Sequence, residues 1–231
     1  MRRRYTLKRT YALMSAVGLS VVATAAGWAQ SLTWLGVLPG YVGSRAFGVS
    51  ADGAVVVGEA HNASLQFRAF RWTPAGGMQD LGALGGDYSA ASGVSADGAV
   101  VVGEALNANG QYRAFRWTAA GGMEDLNLTY ASLLANGSVL YGARAISPDG
   151  RYIVGGGYNA ATGRYEAFLL DTWRTGDTNG DGCVDDADLL AVLFAFGTPG
   201  TGYTRPEDIN KDGVVDDADL LTVLFNFGGG C

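Results

Sequence analysis

The chain has 231 residues, 48% of them hydrophobic and 16% charged, with a net charge of -6; it is long enough for one large or two small domains and apolar enough for a core, which excludes a wholly disordered protein. Its 36 glycines favour turns and short strands, and its single histidine leaves little for imidazole chemistry. The acid is uneven: residues 177–231 hold eleven Asp/Glu against Arg205 and Lys211, a net of -9, whereas 30–176 carry a net of -2, a distribution that disfavours nucleic acid and anionic membranes as partners.

In chain order, the first element is a targeting segment. MRRRYTLKR carries five basic residues, Tyr11 to Ala26 is an apolar run broken by Ser15, Gly18, Ser20 and Thr24, and Gly27-Trp28-Ala29 supplies small residues at both cleavage subsites. Residues 1–29 therefore read as a signal peptide. Arg3-Arg4 leaves the twin-arginine route open beside the general one. The mature protein is expected outside the cell, without membrane insertion, and its net charge becomes -11 once the five bases are removed.

Residues 30–174 repeat. GVSADGAVVVGEAHNASLQFRAFRWTPAGGMQDL (48–81) and GVSADGAVVVGEALNANGQYRAFRWTAAGGMEDL (93–126) agree at 28 of 34 positions, and a divergent third copy lies at 145–171. LTWLGVLPG, from Leu32, matches MQDLGALGG, which sets units of about 30–75, 76–120 and 121–174. Each unit predicts four strands, in the first Thr33–Leu38, Ala46–Val49, Ala54–Gly58 and Phe67–Thr73, with Asp-Gly turning between the second and third. The wording AFGVSADGAVVVGEA…RAFRWT…GGMQDLG resembles the HAF family of extracellular repeats, which brings no chemistry with it. Four strands in 45 residues suggest a propeller blade, but three blades are too few to close a ring. The units therefore form a closed barrel or prism, complete a ring by self-association, or stack with open ends.

Candidate active residues here mostly read as structural. Asp52, Asp97 and Asp149 precede glycine at equivalent turns. Glu59 and Glu104 become Gly156 in the third unit, so no carboxylate pair is preserved, and His61 becomes Leu106. Arg68, Arg71, Arg113 and Arg116 alternate with Phe70, Trp72, Phe115 and Trp117 and read as strand faces, with a sugar-stacking surface as the alternative. The sequons at Asn62, Asn127 and Asn136 carry little meaning in a bacterial host, which is the host expected.

Beyond 175 the pattern changes. DTNGDGCVDDAD (177–188) and DINKDGVVDDAD (208–219) each place oxygen-bearing side chains at positions 1, 3, 5, 9 and 12 and glycine at 6, 31 residues apart. That alternation suits a hard cation with six or more oxygen donors, so two Ca²⁺ ions are expected. The ligands are Asp177, Asn179, Asp181, the Cys183 carbonyl, Asp185 and Asp188 in the first loop, and Asp208, Asn210, Asp212, the Val214 carbonyl, Asp216 and Asp219 in the second. A helix should leave each loop, Asp186–Phe196 and Asp217–Phe227, ending at Gly197 and Gly228. TPGTGYTRPE forbids a helix entering the second loop.

Two calcium loops, each with only an exiting helix and with Asp at position 12, resemble the type I dockerin over 176–231. The resemblance implies a calcium-folded module that binds a cohesin and attaches its chain to a scaffold or cell surface. Partner contacts would fall on loop positions 10 and 11, Asp186, Ala187, Asp217 and Ala218, where family members carry hydroxyl residues instead. The apolar pairs Leu193-Phe194 and Leu224-Phe225 are expected in the core. Export makes a disulfide between Cys183 and Cys231 the default; a pseudo-twofold arrangement of the repeats, as the resemblance implies, would bring the two together.

The expected fold is thus mainly β, in propeller-blade-like four-stranded units, plus a small all-α calcium-binding module. The expected protein is a secreted, non-catalytic docking protein that displays the β module, with carbohydrate as a candidate ligand of the repeats. The alternatives are a component of polysaccharide breakdown, suggested by the company dockerins keep, and a structural surface array.

Overall fold

The structure, a computed structural model, describes residues 30–200 and 205–230. The signal-peptide reading of 1–29 lies outside the described residues, as does Cys231. Residues 30–34 belong to a separate unit from 35–231; they form no strand, and Leu32 and Trp34 are exposed.

The unit from Leu35 onward is mainly β. Sheet 1 is an antiparallel meander of β1 (Gly43–Val49), β2 (Val56–His61), β3 (Phe67–Thr73) and β4 (Gly77–Asp80). Sheet 2 repeats it with β5 (Gly85–Val94), β6 (Val100–Asn107), β7 (Tyr112–Thr118) and β8 (Gly122–Asp125). Sheet 3 has three strands, β9 (Val139–Ile146), β10 (Tyr152–Asn159) and β11 (Arg164–Asp171), with β11 at its edge. Between β8 and β9 lie α1 (Leu126–Thr129) and a 3-10 turn at Ala131–Leu134.

Two expectations are corrected here. Thr33–Leu38 is not a strand: Gly36 sits at φ 80, a turn conformation, and the segment has no ladder partner. The fourth strand is instead Gly77–Asp80, paired Trp72↔Met78 and Arg71↔Gln79, so it closes its unit rather than opening the next. The third unit lacks a fourth strand altogether among the described residues.

The turns reproduce one network. Ser50 donates its hydroxyl to Asp52 (2.6 Å) and accepts from the Val55 N–H (2.9 Å), while Asp52 accepts from the Ala54 N–H (2.9 Å). Ser95/Asp97 and Ser147/Asp149 do the same. These turns also join the sheets, since the Ala51 N–H donates to Ala96 O (3.0 Å) and the Ala96 N–H to Pro148 O (2.9 Å). A β-bulge interrupts β1 opposite β2, and the recurring glycine there is obligatory: a Cβ on Gly58, Gly103 or Gly155 would lie 1.9, 2.0 or 2.0 Å from the facing carbonyl oxygen.

The sheets stack face to face. Val57 and Ala69 of sheet 1 pack with Ala105, Phe115 and Trp117 of sheet 2, with Leu84 against them. Val102 and Ala114 of sheet 2 pack with Ala143, Ile153 and Leu170 of sheet 3. Leu38, from the segment leading into β1, packs with Ala60 and Phe70 on the far face of sheet 1. A separate apolar cluster of Val184, Val192, Ala195, Val215 and Val223 holds two ten-residue helices, α2 (Asp186–Ala195) and α3 (Asp217–Asn226).

Candidate metal-binding loops and exposed surfaces

The two acidic loops fold alike. Gly182 (φ 93) and Gly213 (φ 99) take the bend at position 6 that only glycine adopts freely. Asp177 accepts the N–H groups of Gly180 (2.7 Å) and Gly182 (3.1 Å); Asp208 accepts those of Asp212 (3.2 Å) and Gly213 (3.1 Å). Asn179 donates to Asp181 (2.9 Å) as Asn210 does to Asp212 (2.9 Å), and Asp181 and Asp212 accept the main-chain N–H of Cys183 and Val214.

Position 12 ties each loop to its helix. Asp188 Oδ1 accepts from the Thr178 N–H (2.7 Å) and Asn179 N–H (3.2 Å), and its Oδ2 from the Asp185 N–H (2.9 Å). Asp219 repeats this with Ile209, Asn210 and Asp216. Asp185 and Asp216 cap the helices and, with Asp188 and Asp219 at the third helical position, complete capping boxes.

These carboxylates are out of water without a counterion. Asp188 and Asp219 are 0% exposed, Asp208 2% and Asp177 5%, and among the described residues no ion pair reaches any of the four. Burial, and then the negative charges of Asp188 and Asp181, push the Asp177 carboxyl above its ordinary pKa against the pull of its amide bonds. All-oxygen donors at these loop positions are of the kind that fits Ca²⁺. As they stand, no three His, Cys, Asp or Glu side chains among the described residues converge to hold a metal, and the carboxylates of Asp177, Asp188 and Asp219 accept backbone amides.

The loops cross-pair. The Val184 N–H donates to Gly229 O (2.9 Å) and the Gly228 N–H to Val184 O (2.7 Å); the Gly197 N–H donates to Val215 O (2.8 Å) and the Val215 N–H to Thr198 O (3.1 Å). Each loop is thus closed by the end of the other loop's helix. Cys183, beside the first of these pairs, is disulfide-bonded.

The helices overturn one expectation. Phe194 and Phe225 are not core: they are 85% and 83% exposed, flanked by exposed Leu190, Leu193 and Phe196 and by Leu221, Leu224 and Phe227. The apolar residues that face inward are Val192 and Ala195 on α2 and Val223 on α3, with Leu189 and Leu220 packed against them. Asp186, Ala187, Asp217 and Ala218 are exposed too, and Ala187, Leu190 and Phe194 share a helix face at i, i+3 and i+7.

In the β module, Glu59 is paired with Arg45 (3.1 Å), and Glu104 with Arg144 (2.8 Å) and the Tyr88 hydroxyl (3.2 Å). Burial, then Glu104, push the Tyr88 phenol up. Arg71 donates to Gly98 O of sheet 2, and Arg116 is paired with Glu124. Arg68 and Arg113 bond the carbonyls of their own strand neighbours, Phe67 and Tyr112. His61 lies at the end of β2 against Phe67, its Nδ1 buried without a hydrogen-bond partner. A groove of about 880 Å³, lined by Glu104, Tyr112, Tyr141, Arg144, Tyr165 and Glu166 over glycines of β10, opens on sheet 3. Hydrogen bonds from Asn159 and Thr162 hold Glu166 below the ordinary carboxylate range.

At the join between the modules, Arg151 donates to both Asp171 oxygens (2.9 Å each), and Lys211 of the second loop reaches Asp171 (3.5 Å). Among the described residues no helix is long and apolar enough to cross a membrane. No family model matches the sequence, and no curated protein matches it. Among solved structures the chain is similar to "The structure of putative TolB from Agrobacterium tumefaciens", at 16% identity and a TM-score of 0.42, over 57% of this chain and 47% of that one, so it spans about half that chain's length.

Proposed function

We propose that this is a secreted, non-catalytic docking protein. Its C-terminal dockerin-like module binds two Ca²⁺ ions through Asp177, Asn179, Asp181, Asp185 and Asp188 and through Asp208, Asn210, Asp212, Asp216 and Asp219, with the carbonyls of Cys183 and Val214. Calcium supplies the positive charge that these acidic loops lack. The folded module then docks to a cohesin-type partner on a scaffold or cell surface and displays the β repeats.

The observation that carries the reading is the duplicated apolar surface, Leu190, Leu193 and Phe194 on α2 and Leu221, Leu224 and Phe225 on α3, left in water by a helix pair too small to need it. Exposed aromatic side chains in such a patch are the usual anchors of a protein interface.

The test is binding of the mature chain to immobilised cohesin-type domains, in calcium and in EDTA. Capture that needs calcium and falls at least tenfold on Phe194→Ser with Phe225→Ser is expected, the loss of two buried anchors. Capture that is indifferent to EDTA, or that survives both substitutions, would sink the reading.

A further inference from the structure

Sheets 1 and 2 each hide one face beneath the sheet that follows; among the described residues no sheet follows sheet 3. Val57 and Val102, at equivalent positions of β2 and β6, are 0% exposed, and so are Ala69 and Ala114 of β3 and β7. Their equivalents in sheet 3 are Val154, 41% exposed, and Ala167, also exposed, beside Leu169 at 52%. An interface that occurs twice within the chain is therefore presented a third time without a partner.

The complementary face is present at the other end. What covers Val57 and Ala69 is the Ala105, Phe115 and Trp117 face of sheet 2, with Leu84 beside it. Sheet 1 carries the same face as Ala60, Phe70 and Trp72, with Leu38 in the place of Leu84. Leu38 and Leu84 fall at the same position of the matched segments LTWLGVLPG and MQDLGALGG, in which Gly36 (φ 80) and Gly82 (φ 81) share one turn conformation. The segment before β1 is thus built as an inter-sheet connection.

A strand count agrees. Met78 and Gln79 pair with Trp72 and Arg71, and Met123 and Glu124 with Trp117 and Arg116. Carried to the third unit, that register sets Leu32 opposite Leu170 and Thr33 opposite Leu169. The chemistry follows: where the first two units pair Arg with Gln or Glu, the third has Leu169 with Thr33, and Trp with Met becomes Leu170 with Leu32. β11 is an edge strand missing a neighbour, and Leu32–Trp34 is the equivalent of that neighbour without a sheet of its own.

We propose that two copies of this chain close a six-sheet ring, in which sheet 3 of each copy packs on sheet 1 of the other and Leu32–Trp34 of each adds the fourth strand to the other's β11. Six sheets are a normal closed number and three are not. A two-copy ring has no open face, so association stops there.

Light scattering on residues 30–231 across a range of concentrations should read twice the chain mass and nothing larger. Thr33→Pro, which removes a strand N–H, and Val154→Arg, which charges the uncovered face, should each raise the dimer dissociation constant about tenfold or more with unchanged circular dichroism. Mixing a Thr33→Cys chain with a Leu169→Cys chain should yield a disulfide-linked pair. A monomer at every concentration, or no cross-link in the mixture, overturns the proposal. Monomeric Thr33→Cys, Leu169→Cys double variants bridged internally would show a chain closing on itself, and species growing without limit would show open stacking; each also overturns it.

Discussion

Asp219→Ala is the sharpest probe of how the acidic loops are built. The Asp219 side chain is 0% exposed and accepts three main-chain N–H groups, from Ile209 (2.7 Å), Asn210 (3.1 Å) and Asp216 (3.0 Å). Hydrogen bonds to a charged acceptor are worth about 1.5–3 kcal/mol each, and a buried donor left unpaired costs about 1–3 kcal/mol. Relief from burying an uncompensated anion offsets part of that loss, which leaves a net destabilisation of about 3 kcal/mol without calcium. On the proposed function, calcium should enlarge the difference, because the substitution would also remove a ligand. Asp217→Ala is the control: it lies two residues away on the same first helical turn, is exposed, and should change stability by no more than about 0.5 kcal/mol. Urea unfolding of the mature chain, followed by the helical signal at fixed calcium and in EDTA, measures both. If the two variants fall within about 0.5 kcal/mol of each other in EDTA, the buried carboxylate does not tie loop to helix and the reasoning fails.

Acid should weaken the β module through Asp171. Burial alone would raise its pKa, but the two bonds and the charge of Arg151 more than reverse this, so the folded value lies below the ordinary one. A depressed carboxylate contributes stability that is fully present above the unfolded pKa and is lost as pH falls through the folded one. The loss therefore lies below about pH 4, and Arg151→Met should flatten that part of the stability profile; an unchanged profile refutes the assignment. For the cysteines, intact mass of the purified chain should show two hydrogens fewer than the reduced form, from a bridge between Cys183 and Cys231, and two titratable thiols per chain would exclude it.

How much was legible differs by element. The helices leaving the acidic loops begin at Asp186 and Asp217 as the acids and loop spacing require, because capping and glycine stops are local chemistry. The same holds for β3 and for the Ser-x-Asp-Gly turns. The exposure of Phe194 and Phe225 was not legible: a ten-residue helix with Leu, Val and Phe on most faces does not say which face the domain can cover, and a pair of short helices buries only one narrow face, with Val192 and Ala195 on α2 and Val223 on α3. The phase of the β repeat was hidden for another reason. Met78-Gln79-Asp80 is too short to show period-2 alternation, and its pairing is set by the Gly76-Gly77 turn, whose effect depends on a partner strand already in place. The groove on sheet 3 was invisible because its members come from five strands across two repeats and meet only once sheets 2 and 3 have stacked.

The row of turn-to-turn bonds along the rim has a direction. Ala51 donates to Ala96 and Ala96 to Pro148. Proline has no N–H, so the row ends at the third sheet whatever comes to lie beside it. Junctions inside the chain each carry one rim bond that a junction next to Pro148 cannot have. If sheet 1 of a second copy lies beside Pro148, as proposed, that junction should part first under a pulling force or on dilution, releasing whole three-sheet blocks before any sheet within a block is peeled away.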